Sequence, residues 1–533
     1  MRNGSPSGMK QFQLKASIAG IILLSLLYFL PVIKGFSTAL TSPSLITSII
    51  YKPVIRHSLI FTIEQAAIST LLSALIGIPA GLGIAFSSPN LSRSIRSLYL
   101  TVFMAPSMVV VMGFTSLYGR NGLLSTRIPA LSILGKGFPS IIAAHTLYNA
   151  PLIAVMVYAS IASIPREYWD LLLSTAKPLS YTVIKKILVP YIVPGVLSGS
   201  LLTFIYCFMS FAIPLNLGGP QYSTLEVNIY MYYKILQDEG TASAIALIQY
   251  IILLTLIWLS LEATASASYA PVTPSAAEGV SWSGRALFTG FSIALLIYTC
   301  TPIIGALYYS FYNPLNHSFT LEFYRHILSS AYDARLGIPP FRVILNTLYF
   351  AFMTILLSLA LSTLLSVGWK RINEVLVLSL LAVSPVTLGL GLLRSLPPYL
   401  PVWTGIVLAH TFAALPLSLR TVRIGLERVS WRFVEAGLSY GETPIGVLFR
   451  VSIPIALHSY ILAAAFAAAV SFGEFGATLF LRTIDTTTLA VAIYQYRSLR
   501  MFGEAYAASG ILLLFTFTSL YIIARLGKGV KNG

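Results

Sequence analysis

Twelve apolar runs, most of them near the roughly 20 residues a helix needs to cross a bilayer, dominate this sequence. They lie near 16–33, 58–86, 97–118, 139–163, 191–214 and 242–261, then near 286–312, 343–367, 374–393, 402–419, 455–480 and 505–524. Every lysine and arginine falls outside them, as expected where charge in hydrocarbon is costly. Charged residues make up 10% of the 533, against about 25% in a soluble domain. That is too few to coat a globule of this size, which excludes a soluble enzyme, a disordered chain and a fibre. The expected fold is all-α and polytopic, with about 12 transmembrane helices. No polar gap exceeds about 30 residues, whereas an independent domain usually needs about 100. An appended ATPase or binding domain is therefore not expected.

Basic residues number 34 and acidic residues 17. The basic residues are spread over short loops, which argues against a nucleic-acid surface. With the N-terminus placed inside, the inner segments hold 20 Lys and Arg and the outer segments 14. The positive-inside rule then predicts a multi-pass cell-membrane protein with both termini cytoplasmic. The start is basic (Arg2, Lys10, Lys15), but the apolar run continues to about Val32 without a small-residue cleavage site, so an uncleaved first helix is expected. Cys207 and Cys300 both lie in apolar runs and suggest neither a disulfide framework nor a metal site.

The chain repeats itself. Ala144-His145-Thr146 with Pro151 matches Ala409-His410-Thr411 with Pro416 at an offset of 265. Thr224-Leu225 with Ile229-Tyr230 matches Thr488-Leu489 with Ile493-Tyr494, and Pro190 matches Pro454, both at 264. Three matches in one order predict two homologous six-helix units, parallel repeats about an axis along the membrane normal. Residues 264–284, small and Pro/Ser/Ala-rich, read as the linker between them. The expected organisation is 1–57 (tail, first helix, outer loop), 58–262 (first unit), 263–285 (linker), 286–342 (seventh helix and outer loop), 343–524 (second unit) and 525–533 (cytoplasmic tail).

The inner loop after the tenth run breaks the apolar pattern. It reads Val434-Glu435-Ala436-Gly437-Leu438-Ser439-Tyr440-Gly441 and ends at Val451-Ser452-Ile453-Pro454. Small residues permit close backbone approach, a glycine permits a turn with positive φ, and a proline suits the first turn of the next helix. The pattern describes a short amphipathic helix along the inner membrane face, a turn, and the next span.

This pattern resembles the EAA motif of permease subunits of binding-protein-dependent ABC importers of the type I, MetI-like kind. Glu435, Ala436, Gly437, Gly441, Val451 and Pro454 fit it position by position, with Gly for the second Ala and Val for Ile. The first-half loop fits less well. It opens Ile164-Pro165-Arg166-Glu167, continues Asp170-Leu171-Leu172, has Ala176 where the glycine belongs, and reaches Pro190 one residue late. Phe472-Gly473-Glu474-Phe475-Gly476-Ala477-Thr478, Thr487 to Tyr494, and Leu217-Gly218-Gly219-Pro220 with Thr224 to Val227 resemble segments of molybdate, sulfate, thiamine and iron permeases. The resemblance covers about 58–262 and 343–524 and includes the fused ferric-iron and thiamine permeases.

What the resemblance implies is a translocation pathway coupled to separate ATPases. The coupling loops would be built on Glu435, Ala436, Gly437, Gly441 and Pro454, and on Glu167, Asp170, Ala176 and Pro190. Two ATP-binding cassette subunits and an extracytoplasmic binding protein would be the protein partners, beside membrane lipid and no nucleic acid. ATP and Mg would sit on the ATPases, with no cofactor in this chain. The cargo would be ferric iron, thiamine or another small ion or polar solute.

Read as bare residues, Glu435 and Asp170 are equally solvated acids at a helix start. Glu474 in the eleventh run and Glu64 in the second are candidates for the pathway or gate, because an ionisable residue in a span suggests function. A partly wet position or a helix-to-helix hydrogen bond is the plainer alternative. Gly473 and Gly476 would let helices approach closely there. His145 and His410 are expected to tie helices by hydrogen bonds, since neither has a carboxylate at ligand spacing. Gly135-Lys136-Gly137 and Gly527-Lys528-Gly529 are not phosphate loops, and no H-E-x-x-H occurs. Catalysis by this chain is not expected. The rival readings are an ion-coupled secondary transporter with two six-helix repeats and, more distantly, an intramembrane enzyme.

Overall fold

The computed structural model describes residues 6–165, 189–264, 282–314, 316–368, 379–397 and 399–526, together with Glu167, Lys185, Leu376 and Val377. Most of the predicted linker, 265–281, lies outside the described residues. Among the described residues the regular structure is helical apart from a hairpin pairing Tyr312–Asn313 with Ser318–Phe319 and a single bridge between Asp333 and Ile338.

Among the described residues, nine helices are long and apolar enough to cross a membrane, or eleven if each of two bent pairs counts as one span. The twelve runs are thus not twelve equal rods. The run near 97–118 is two helices, Pro89–Phe103 and Ser107–Tyr118, bent by 96°. The bend falls at Pro106, which removes a backbone donor and biases Ala105 away from helix. The run near 455–480 bends by 80° between Pro444–Ile455 and Leu457–Gly473. The run near 374–393, part of which lies outside the described residues, restarts as an 11-residue helix, Pro385–Ser395, about 16 Å long and half the hydrocarbon thickness. Ser384 caps it, its hydroxyl accepting from Thr387 N–H at 3.2 Å, so the Ser-Pro step starts a new helix inside an apolar run.

The chain forms two compact units. One contains Ile46–Met231 and Ile251–Thr320. Its main helices are α1 (Pro53–Phe86), α2 (Ser107–Tyr118), α3 (Phe138–Ala162), α4 (Val189–Phe208) and the leading span of the second half, α5 (Trp282–Phe311). The other contains Met1–Leu45, Tyr232–Tyr250 and Leu321–Gly533. Its main helices are α6 (Pro340–Val367), α7 (Pro385–Ser395), α8 (Val402–Glu427), α9 (Leu457–Gly473), α10 (Phe502–Leu526) and the leading span of the chain, Gly8–Thr41. Each half therefore lends its leading span to the unit built from the other half.

Two contacts recur in both units. In the first, a Cβ at Gly113 on α2 would collide with the carbonyl oxygen of Pro302 on α5. In the second, a Cβ at Gly391 on α7 would collide with the carbonyl oxygen of Pro31. Each leading span is seated by a proline backbone on a glycine, the close approach a missing Cβ allows. The other contact is a threonine. Thr62 Oγ1 accepts from Leu225 N–H at 3.0 Å and donates to Ser58 O at 2.6 Å. Thr347 Oγ1 accepts from Leu489 N–H at 2.8 Å and donates to Val343 O at 2.8 Å. The repeat seen as short sequence matches is a repeat of hydrogen bonds.

Candidate functional site

The loop after α8 holds a helix of nine residues, α11 (Trp431–Ser439). Val434 and Leu438, four apart, pack with Met9 and Val447 in a buried cluster. The same periodicity leaves Trp431, Phe433, Glu435, Ala436 and Tyr440 exposed, Tyr440 at 91%. The Trp431 indole N–H donates to Glu435 Oε1 at 2.5 Å, one turn along. The helix ends at Gly441 with φ of +86°. Gly441 N–H donates to Leu438 O and Glu442 N–H to Gly437 O, both at 3.1 Å. This is the paired closure of a Schellman cap. A Cβ at Gly437 would lie 3.0 Å from Val447 Cγ2, so a larger residue there would push the turn away from the helix. Pro454 is exposed in the short helix Ile453–Ile455, just before the 80° bend.

In the first-half loop Glu167 is exposed, and Pro190 is exposed as the second residue of α4. Asp170 and Ala176 lie outside the described residues.

Glu474 does not lie within a helix, contrary to the sequence expectation. α9 ends at Gly473, a second helix runs Gly476–Leu481, and Glu474 sits in the break between them. Its Oε1 accepts from Ala477 N–H at 2.8 Å, supplying a partner to a free donor of the new helix. Gly473 and Gly476 flank the break. A cavity of about 40 Å³ adjoins Glu474, with Tyr28, Phe412, Pro385 and Ala477 in its wall. Tyr28 comes from a π turn, Ser25–Phe29, in the leading span and donates to Leu380 O at 3.2 Å. Sequence reasoning missed Tyr28; its only signal was a phenol inside an otherwise apolar run.

His410 on α8 spans this break. Its Nδ1 is 2.7 Å from Ser471 Oγ on α9, and its Nε2 is 2.7 Å from Thr478 Oγ1 beyond the break. Thr478 Oγ1 donates to Glu474 O at 3.4 Å. That direction has His410 Nε2–H donating to Thr478 and Nδ1 accepting from Ser471. His145 is held differently: its Nδ1 is 3.4 Å from Ser69 Oγ on α1, and its buried Nε2 has no partner among the described residues. Glu64 lies on the exposed face of α1 beside Ile60, Ile63 and Ile68. Among the described residues no three His, Cys, Asp or Glu side chains form a group that could hold a metal ion.

Residues 77–264 match the family described as binding-protein-dependent transport system inner membrane component. The chain is 27% identical over 454 residues to the thiamine transport system permease protein ThiP of Brucella abortus (strain 2308), covering 82% of this chain and 81% of that one. It is 25% identical over 497 residues to ThiP of Escherichia coli (strain K12), covering 89% and 90%. Over 203 residues, 38% of this chain and 76% of the relative, it is 26% identical to the molybdenum transport system permease protein ModB of Mycobacterium bovis. Together with the helical fold, these matches define a multi-pass inner-membrane permease of the binding-protein-dependent class. Within that class, the chain is a fused permease subunit of an ABC importer, which works with ATPase and substrate-binding partners and is not itself an enzyme.

Proposed function

We propose that this permease imports thiamine, with ATPase subunits docked on both coupling loops and a binding protein delivering cargo from outside. The observation that carries the coupling role is the Schellman-capped helix Trp431–Ser439, which buries Val434 and Leu438 and presents Glu435 and Ala436 to a partner. Two ATPases, each holding its own ATP and Mg, would move these helices and so switch the pathway between its two accessible states. Glu167, Asp170, Ala176 and Pro190 would build the first coupling loop, and Gly437, Gly441 and Pro454 complete the second. Glu474 between Gly473 and Gly476 would form part of the gate, with Glu64 on the pathway. Met9 packs against Val434 and Val447, which supports a cytoplasmic N-terminus, and the loop charges support a cytoplasmic C-terminus as well. The thiamine assignment draws on the names of relatives that match along more than four-fifths of the chain.

The test is ATP-dependent uptake of radiolabelled thiamine by the complete transporter in proteoliposomes. Glu435→Arg is expected to leave the chain inserted while abolishing ATPase-driven uptake. Normal uptake by that variant would remove Glu435 from the coupling role. Uptake of ferric ion or molybdate in place of thiamine would replace the cargo and keep the coupling scheme.

A further inference from the structure

Helices α8 and α9 form a hairpin whose connecting segment is the Glu435 loop. Its end nearest the loop is closed by packing. Val422, Ala456, Tyr460 and Ala463 are buried together, with Leu426, Val429 and Ile453 against them. The 17 positions from Glu427 back to His410 measure about 26 Å along α8. There His410, 1% exposed, closes the far end. It bonds to Ser471 in the last turn of α9 and to Thr478 in the helix beyond the break. A hairpin closed only at the loop could splay at its far end, and the break could then flex without following the loop. With both ends fastened, α8, α9 and the break move as one body.

We propose that His410 is a positioning residue for coupling, which makes displacement of the Glu435 loop arrive at the Glu474 break. The proposal rests on the coupling role assigned to that loop above. His145 does not close the corresponding hairpin. Its Nδ1 faces Ser69 on α1 instead of α4, and the residues at an offset of 264 from Ser471 and Thr478 are Cys207 and Pro214. Within the unit that contains His145, Asn149 reaches α4 through Cys207 Sγ, at 3.4 Å. His410 and His145, equivalent in sequence, therefore have different work.

The experiment uses the full transporter with its ATPases and binding protein in proteoliposomes. It measures radiolabelled thiamine moved per ATP hydrolysed. Beside this, it follows amide hydrogen exchange over residues 474–479 with and without a non-hydrolysable ATP analogue. Thr478→Val keeps the side-chain shape and removes the Nε2 partner together with the longer bond to Glu474 O, so it tests the link even if His410→Ala does not fold. Both variants are expected to hydrolyse ATP within about twofold of wild type and to move about tenfold less thiamine per ATP, the factor equivalent to one buried hydrogen bond. Exchange at 474–479 should respond to nucleotide in wild type and not in the variants. His410→Gln, which can still donate and accept, should recover part of the ratio, and His145→Ala should keep it. An unchanged ratio and an unchanged nucleotide response in Thr478→Val would overturn the proposal. Uptake without ATP in the wild type would instead defeat the importer reading on which it rests.

Discussion

The same helix break occurs twice in this chain and is held in two different ways. In the first half α4 ends at Phe208, and a π turn follows at Pro214–Gly218. In the second half α9 ends at Gly473, and a helix follows at Gly476–Leu481. At an offset of 264, Cys207, Ser210 and Pro214 stand where Ser471, Glu474 and Thr478 stand. One break has hydroxyls on both sides, a carboxylate between them and a histidine bonded to both hydroxyls. The other has a thiol, a lone hydroxyl and a proline that can donate nothing from its backbone. By contrast, the Gly–Pro seat and the Thr–Leu bond are nearly identical in both units. The scaffold of the repeat is symmetric, and the chemistry at the breaks is not.

Five substitutions, grouped in three comparisons, test how far that contrast holds. The largest effect should come from the shared glycine seats. Gly113→Ala and Gly391→Ala each force a Cβ onto a proline carbonyl, a clash worth about 3 kcal/mol. Heating detergent-solubilised protein and following the surviving monomer by fluorescence-detected gel filtration should show equal losses. A loss at only one glycine would break the claim of a symmetric scaffold. Next come Thr62→Val and Thr347→Val, each leaving a leucine N–H without its hydroxyl partner, at about 2 kcal/mol apiece. The same assay should again place them side by side. The smallest change sharpens the asymmetry. Pro214→Thr puts a hydroxyl at the position that corresponds to Thr478; it is expected to partner His145 Nε2, which has none among the described residues, and to stabilise by about 1 kcal/mol. No gain would mean that position 214 does not face His145.

Much of this architecture could be read from residue order. The apolar runs located every long span among the described residues, because crossing hydrocarbon demands length and keeps lysine and arginine out of the apolar stretch. Gly441 was legible as a turn, since its place after a short amphipathic helix calls for positive φ. The bend at Pro106 and the fresh start at Ser384-Pro385 were hidden inside runs that stay apolar throughout. Gly473 and Gly476 suggested close helix packing, but they bracket a break, and a glycine pair serves either purpose. The exchange of leading spans left no hydropathy signal, because an apolar helix is equally at home against lipid or protein. His410 was legible as a helix tie; its grip on both sides of a break depended on Ser471 and Thr478 meeting in space.

The exchange of leading spans also has a timetable. The unit that holds residues 1–45 takes most of its mass from residues 321–533, so its first helix enters the bilayer about 275 residues before its partners exist. At ribosomal speeds of about 5–20 residues per second, that wait is on the order of half a minute. Throughout it, Gly20, Pro31 and Gly35 face lipid or a chaperone, with Leu365 and Gly391 not yet made. A gene cut between the halves would therefore yield two fragments that each lack a wall of their own bundle. Their assembly would become a second-order reaction in the plane of the membrane, limited by how often the two fragments collide.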